Sequence, residues 1–257
     1  MGKMGKIKET ATVLSQKKIA NGIYDLCIST KIAKEAKPGQ FISIYSKDGS
    51  MLLPRPISIC EIVDDNKLRV VYRVVGKGTN EFSSLGEGDS ITVAGPMGNG
   101  FSLLDKKAIL IGGGIGIPPM YELAKQLSCE KTVVLGYRDE LFLKEGFEKL
   151  QNTSVVIATE DGSAGTKGNV IDAIKAMGVD GEVIYACGPI PMLRGVKAYA
   201  KEKGITAYIS MEEKMACGVG ACLGCVCKST GVDDHSKVNN KRVCADGPVF
   251  NAEDVEI

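Results

Sequence analysis

Three cysteines crowd one glycine-rich loop, and they limit this chain more than any other feature. Cys217, Cys222 and Cys225 stand in Met215-Ala-Cys-Gly-Val-Gly-Ala-Cys-Leu-Gly-Cys-Val-Cys227, spaced C-x4-C-x2-C, and Cys244 follows in Arg242-Val-Cys-Ala-Asp-Gly247. This is the plant-type spacing for a [2Fe–2S] cluster held by four thiolates. Gly218, Gly220 and Gly224 suit such a loop, which must turn tightly and bring backbone N–H groups close to sulfur. A closed zinc site draws on the same residue type, but structural zinc sites more often split their ligands between two separated C-x2-4-C pairs. A Rieske centre needs two histidines, and the chain has only His235, in the polar stretch Gly231-Val-Asp-Asp-His-Ser. Cys227 lies in the same loop and competes with Cys244 for the fourth place; the reading takes Cys244.

The rest of the chain must then supply or accept electrons. Its 257 residues allow two ordinary domains and a small appendage. A net charge of +1 gives no field for nucleic acid or a membrane surface. The charged N-terminus lacks the apolar core of a signal peptide. The apolar run from Ala108 to Met120 is broken by glycines and prolines and is too short to span a bilayer. Nine cysteines, five of them outside the proposed ligand set, read as free thiols in a reducing compartment. The expected location is the cytoplasm.

From Lys6 to Val93 six strand-length stretches alternate with turn chemistry such as Asn21-Gly22, Asp48-Gly49 and Gly86-Glu-Gly88. They predict a small antiparallel barrel. After the hinge at Gly95–Gly100, strand and helix patterns alternate, which predicts an open parallel sheet covered by helices. The expected partition is a β-barrel over residues 1–100, an α/β domain over 101–210 and a cluster domain over 211–257. So small a cluster domain is expected to need its metal to fold.

Three motifs carry chemistry. Arg55-Pro56-Ile57-Ser58 enters a barrel strand, and Tyr72-Arg73-Val74-Val75-Gly76-Lys77-Gly78-Thr79 follows. A guanidinium fork and exposed amides suit a pyrophosphate, and an aromatic suits a flat ring system. Tyr72 also reads simply as a packed strand residue. Gly112-Gly113-Gly114-Ile115-Gly116-Ile-Pro-Pro119 lies between the first parallel strand and a helix, where α/β sheets bind phosphate-bearing ligands. It departs from G-x-G-x-x-G at Ile117. Cys187-Gly188-Pro189 ends a later parallel strand on the ligand-binding edge; a buried small hydrophobe is the plainer reading of Cys187.

In this order, the motifs resemble the ferredoxin–NADP reductase superfamily. The cluster loop, closing with Asp246-Gly-Pro-Val-Phe250, narrows the resemblance to the electron-transfer subunits of class 1B, NAD-dependent dihydroorotate dehydrogenases. The resemblance runs from about Thr10 to Phe250 and implies FAD, a [2Fe–2S] cluster and NAD(H) as substrate. It implies that Arg55, with Pro56 and Ile57 beside it, holds the FAD phosphates, and that Ser58 lies near the flavin N5. Tyr72, Arg73 and Val74 would line the flavin, with Gly78 and Thr79 closing over the pyrophosphate. Gly112, Gly113, Gly114 and Gly116, with Cys187, Gly188 and Pro189, would hold NADH, Cys187 near the nicotinamide. Ser58 and Cys187 are the candidates for a part in catalysis. Cys217, Cys222, Cys225 and Cys244 would hold the cluster.

The chain has no second barrel-sized unit and no placed base for dihydroorotate oxidation. The resemblance therefore implies a separate FMN-containing catalytic dihydroorotate dehydrogenase subunit, in a heterotetramer serving pyrimidine biosynthesis. Two rivals stand beside this reading. One is the flavin subunit of a ferredoxin–NADP transhydrogenase or sulfide dehydrogenase, a group in which the first cluster ligand is an aspartate; position 217 here is Cys. The other is a non-redox assembly module stabilised by zinc. Arg138-Asp139-Glu140 after the second parallel strand leans towards NADH, because acids there accept from a ribose 2′-hydroxyl.

Overall fold

The computed structural model describes residues 6–232 and 237–257. His235 lies outside the described residues, as do residues 1–5. The first strands are β1 (Ile7–Ala20), β2 (Ile23–Ser29), β3 (Phe41–Tyr45), β4 (Arg55–Asp64), β5 (Lys67–Arg73) and β6 (Ser90–Met97), closed into an antiparallel barrel in the order β1-β2-β5-β4-β3-β6. Period-2 alternation sets the inward face: Leu26 and Ile28, Leu68 and Val70, Ile91 and Val93 are all buried. Each such side chain contributes about 1.5–3 kcal/mol by leaving water. Asn21-Gly22 turns β1 into β2 with Gly22 at a φ of +68°. Between β5 and β6 a helical turn, α1 (Lys77–Phe82), occupies part of what reads in sequence as a glycine turn. It forms because Phe82 can be buried edge-on against Tyr72, with ring centroids 6.3 Å apart.

The parallel sheet is built from β7 (Ala108–Gly113), β8 (Lys131–Tyr137), β9 (Thr153–Thr159), the two-residue β10 (Thr166–Lys167), β11 (Val183–Cys187) and β12 (Thr206–Ser210). Helices α2 (Pro118–Gln126), α3 (Lys144–Glu148), α4 (Val170–Ala176) and α5 (Ile190–Lys203) connect them. Two short tail strands, β13 (Val226–Lys228) and β14 (Asn240–Arg242), pair with each other. A third, β15 (Val249–Asn251), joins the large sheet antiparallel to β12, giving the order β10-β9-β8-β7-β11-β12-β15. The chain leaves β7 for β8 on one side and returns to β11 on the other, so the strand order reverses beside β7. Ligands bind at the carboxyl edge of such a switch point. There Gly112 pairs with Cys187, which puts two of the sequence motifs side by side.

Barrel and sheet are tied along one seam. Glu122 of α2 accepts from the Ile62 N–H at 2.7 Å, and Lys125 Nζ reaches Glu61 at 3.1 Å and the Ile62 carbonyl at 2.8 Å. Arg69 bridges Asp25 and Glu61 behind them. The tail is held from the barrel side, where the Asn99 side-chain amide donates to the carbonyls of Ala245 and Asp246, both at 3.0 Å.

Candidate functional site

A cleft of about 470 Å³ opens where barrel, sheet and tail meet, within the range of small-molecule sites. The barrel contributes Phe41, Arg55, Pro56, Ile57, Ser58, Val71, Tyr72, Arg73, Val75 and Thr79. The sheet contributes Ile115 and Ser210, and the tail contributes Met211, Glu212, Glu213, Met215 and Pro248.

Arg55 opens β4, and its guanidinium donates to the Leu53 carbonyl. It lies over Gly78, where an added Cβ would fall 2.7 Å from Nε. Gly78 is therefore the residue that lets α1 start beside this cation. Thr79 fixes the turn before the helix: its hydroxyl accepts from the Val75 and Gly76 N–H groups at 2.9 and 3.2 Å and donates to the Gly76 carbonyl at 3.1 Å. A guanidinium fork beside a helix start has the chemistry to bind phosphate oxygens. Tyr72 borders the cleft but is mainly a packed residue. It is buried, stacks on Tyr24 at 5.9 Å, and its hydroxyl donates to Gln16 at 2.9 Å. Val74 is not part of the cleft wall; its N–H is spent on the Gly22 carbonyl at 2.8 Å, and Val75 lines the cleft instead.

The second group of motif residues gathers at the end of β7. A Cβ on Gly116 would collide with the Cys187 carbonyl at 2.3 Å, and one on Gly113 would meet Met192 Sδ at 2.4 Å and Pro189 at 3.2 Å. The glycine turn and the Cys187-Gly188-Pro189 strand end thus pack closely, with the Met192 side chain over Gly113 and Gly188, and Gly112, Gly113, Gly116 and Gly188 are buried. Of this group only Ile115 reaches the cleft wall. Burial pushes the Cys187 thiol far above its ordinary range, so it is a neutral group and not a thiolate nucleophile. The neighbouring Ser210 side chain opposes the shift without cancelling it.

Glu212 and its neighbours are site residues that the sequence reading does not name. Glu212 is exposed as a residue, yet protein atoms crowd its carboxyl at the cleft and raise its pKa. Its charge is felt at Cys187. Only the position of Met211–Met215, immediately before the cysteine loop, hints at this role.

In the cysteine loop Cys222 acts on the Cys217 thiol, and both Cys225 and Cys217 act on that of Cys244, so the four sulfurs lie within electrostatic reach of one another. Among the described residues no three Cys, His, Asp or Glu side chains converge as a single ion requires. Four cysteines gathered at this spacing are the donor set of a [2Fe–2S] cluster. Backbone amides point at the sulfurs: Val219 and Ala221 N–H at 3.4 and 3.3 Å from Cys217, Gly220 N–H at 3.1 Å from Cys244, Gly224 N–H at 3.4 Å from Cys222, and Cys244 N–H at 3.4 Å from Cys225. The Val219 amide and its neighbours hold the Cys217 thiol down at about 6, whereas burial pushes Cys244 up to about 12. Gly218 and Gly220 have φ of +65° and +84°, conformations that other L residues rarely adopt. Cys227 is buried in β13, paired opposite Lys241, and has no hydrogen bond to a ligand sulfur among the described residues.

Comparison with known proteins agrees with this geometry. A family described as the iron–sulfur cluster binding domain of dihydroorotate dehydrogenase B matches residues 212–256, and one described as an oxidoreductase NAD-binding domain matches residues 110–198. The dihydroorotate dehydrogenase B (NAD(+)) electron transfer subunit of Caldanaerobacter subterraneus subsp. tengcongensis is 42% identical, over 96% of this chain and 98% of the relative. The protein of the same description from Fusobacterium nucleatum is 43% identical, over 97% and 98%. Among solved structures, a chain of an NADH-dependent reduced ferredoxin–NADP oxidoreductase aligns with a TM-score of 0.85 and 31% identity, over 96% of this chain and 89% of that one. A ferredoxin NADP+ reductase from Neisseria gonorrhoeae, solved with FAD and NADP, shares the fold at a TM-score of 0.64 and 18% identity, over 81% and 95%.

Proposed function

Because this chain belongs to the family of dihydroorotate dehydrogenase B electron transfer subunits, we propose that it carries electrons between NAD(H), FAD, a [2Fe–2S] cluster and a separate catalytic dihydroorotate dehydrogenase chain in pyrimidine biosynthesis. The observation that carries this reading is continuity at the cleft: Met215 forms part of its wall, and Cys217, two residues on, begins the sulfur set. Together the bound groups supply one conversion, from a two-electron hydride to single electrons.

The chain's own residues place and insulate those groups. Arg55, Gly78 and Thr79 hold the phosphates of FAD, while Pro56, Ile57, Ser58 and Tyr72 border its ring. Gly112, Gly113, Gly114 and Gly116 with Cys187, Gly188 and Pro189 form the sheet edge that takes the nicotinamide dinucleotide. Cys217, Cys222, Cys225 and Cys244 ligate the cluster, with the Gly220 and Val219 amides stabilising sulfur charge. Gly218 packs the loop against the barrel, within 3.3 Å of Ser43 Oγ for an added Cβ.

The far side of the loop is open. Cys222 is exposed, and Leu223 and Val219 beside it are 62% and 46% exposed. An apolar rim around an exposed ligand suits docking of the catalytic chain, which we take to hold FMN and to assemble with this one as a heterotetramer. Among the described residues no helix is long and apolar enough to cross a membrane, and all nine cysteines are free. A cytoplasmic setting fits both.

Purification of the chain with its native cofactors tests the proposal. About two irons and one FAD per chain, with visible colour that NADH bleaches under anaerobic conditions, are expected. A colourless chain carrying one zinc would contradict it.

A further inference from the structure

Arg73 ends β5 at the cleft, with its guanidinium exposed. Among the described residues that guanidinium makes no hydrogen bond, ion pair or ring contact. Arg69, four positions earlier on the barrel, is by contrast saturated by Asp25 and Glu61. The glycine turn of the sheet approaches this guanidinium. Gly114, in the left-handed region at a φ of +54°, would bring an added Cβ to 3.9 Å from Arg73 Nη2, and nothing else lies within 4 Å of that point.

The start of α2 explains why a cation is needed here. A helix N-terminus ordinarily offers free N–H groups to a phosphate. Pro118 and Pro119 have no N–H to offer. The flanking amides are engaged: Ile117 donates to the Gly114 carbonyl at 3.1 Å and Met120 to the Ile117 carbonyl at 3.0 Å. The remaining backbone donors can come only from the glycine turn itself. An anionic ligand at this edge meets a helix start poor in donors, with one unpartnered guanidinium reaching over the turn from the barrel.

We propose that Arg73 binds the pyrophosphate of the nicotinamide dinucleotide, closing the glycine turn from the barrel side and leaving the FAD phosphates to Arg55. The assignment rests on the reading of this chain as an NAD(H)-dependent flavoprotein and moves Arg73 from the flavin's border to the second ligand. Charge-assisted contacts to phosphate are the stronger class of hydrogen bond, and a bidentate fork matches the pyrophosphate oxygens.

The test uses the FAD-loaded full chain, wild type and with Arg73→Gln or Arg73→Lys, with ADP-ribose, NAD+ and adenosine titrated calorimetrically at two salt concentrations. Arg73→Gln is expected to keep its FAD and its flavin spectrum. Its Kd for ADP-ribose and NAD+ should rise about ten- to a hundredfold, the loss of one charged hydrogen-bond pair. Its salt dependence should flatten, its weaker adenosine binding should stay unchanged, and Arg73→Lys should recover part of the loss. Unchanged ADP-ribose affinity in Arg73→Gln, or loss of FAD from it, would overturn the assignment while leaving the function intact. A wild-type chain that binds FAD but neither ADP-ribose nor NAD+ would overturn both.

Discussion

Cys244 and Cys227 are both buried and lie in the same small fold, yet Cys244 accepts the Gly220 N–H and donates its own N–H to the Cys225 sulfur, whereas among the described residues no hydrogen bond joins Cys227 to another candidate ligand. Iron analysis should therefore separate them: Cys244→Ser is expected to lose most of its iron while keeping FAD, and Cys227→Ser to keep both. Equal iron loss in the two would return Cys227 to the ligand set. Gly220 makes a sharper case for the loop's backbone. Alanine there must adopt a φ of +84° and place its Cβ 2.7 Å from that of Ala245. Denaturant unfolding should show a cost of at least about 1–2 kcal/mol, with slower cluster assembly. The candidate ligands were legible in the sequence because C-x4-C-x2-C is a local pattern. Glu212 and the approach of Arg73 to Gly114 were not, because each depends on segments that only the closed fold brings together.

Among the elements, β15 and the α2 seam carry consequences that no single residue shows. Val249–Asn251 pairs with β12 and covers the edge of the sheet, and Phe250 packs so tightly on Gly247 that a Cβ there would lie 2.4 Å from the ring. Phe250→Ala should cost about 3–5 kcal/mol and expose that edge, read out as a lower unfolding midpoint and aggregation on heating. Glu122 in α2 gives a pH prediction. Burial raises its carboxyl above the ordinary value, so the folded chain holds this proton more tightly than the unfolded chain does. Stability from this group is then greatest below the unfolded value of about 4.3 and declines as pH rises through the raised folded value. Glu122→Gln keeps an acceptor for the Ile62 N–H and removes the titration. As pH rises from the unfolded value of about 4.3 towards neutrality, the wild type should lose stability relative to this variant; a difference that does not change with pH would refute the prediction. The barrel strands and the β-α repeat were readable from periodicity and turn residues. The helix α1 and the edge strand β15 were not, since the one depends on burying Phe82 against Tyr72 and the other on pairing with β12, about forty residues earlier in the chain.

At the scale of the whole molecule, barrel, sheet and tail share one cleft, and the cysteine loop runs from its wall to an exposed apolar rim. On the proposed function, electrons pass outward from the nucleotide edge towards this rim, where the catalytic chain would dock. The cysteine loop alone specifies a one-electron carrier; the barrel and sheet before it give that carrier a two-electron source. The measurement that bears most directly on this account is NADH-linked reduction of orotate by this chain co-expressed with a catalytic dihydroorotate dehydrogenase subunit. The account predicts a complex that co-purifies and turns over, and that loses the activity, though not its FAD, when Cys217 is replaced by Ser. A chain that reduces dyes with NADH yet neither binds nor drives such a partner would contradict it.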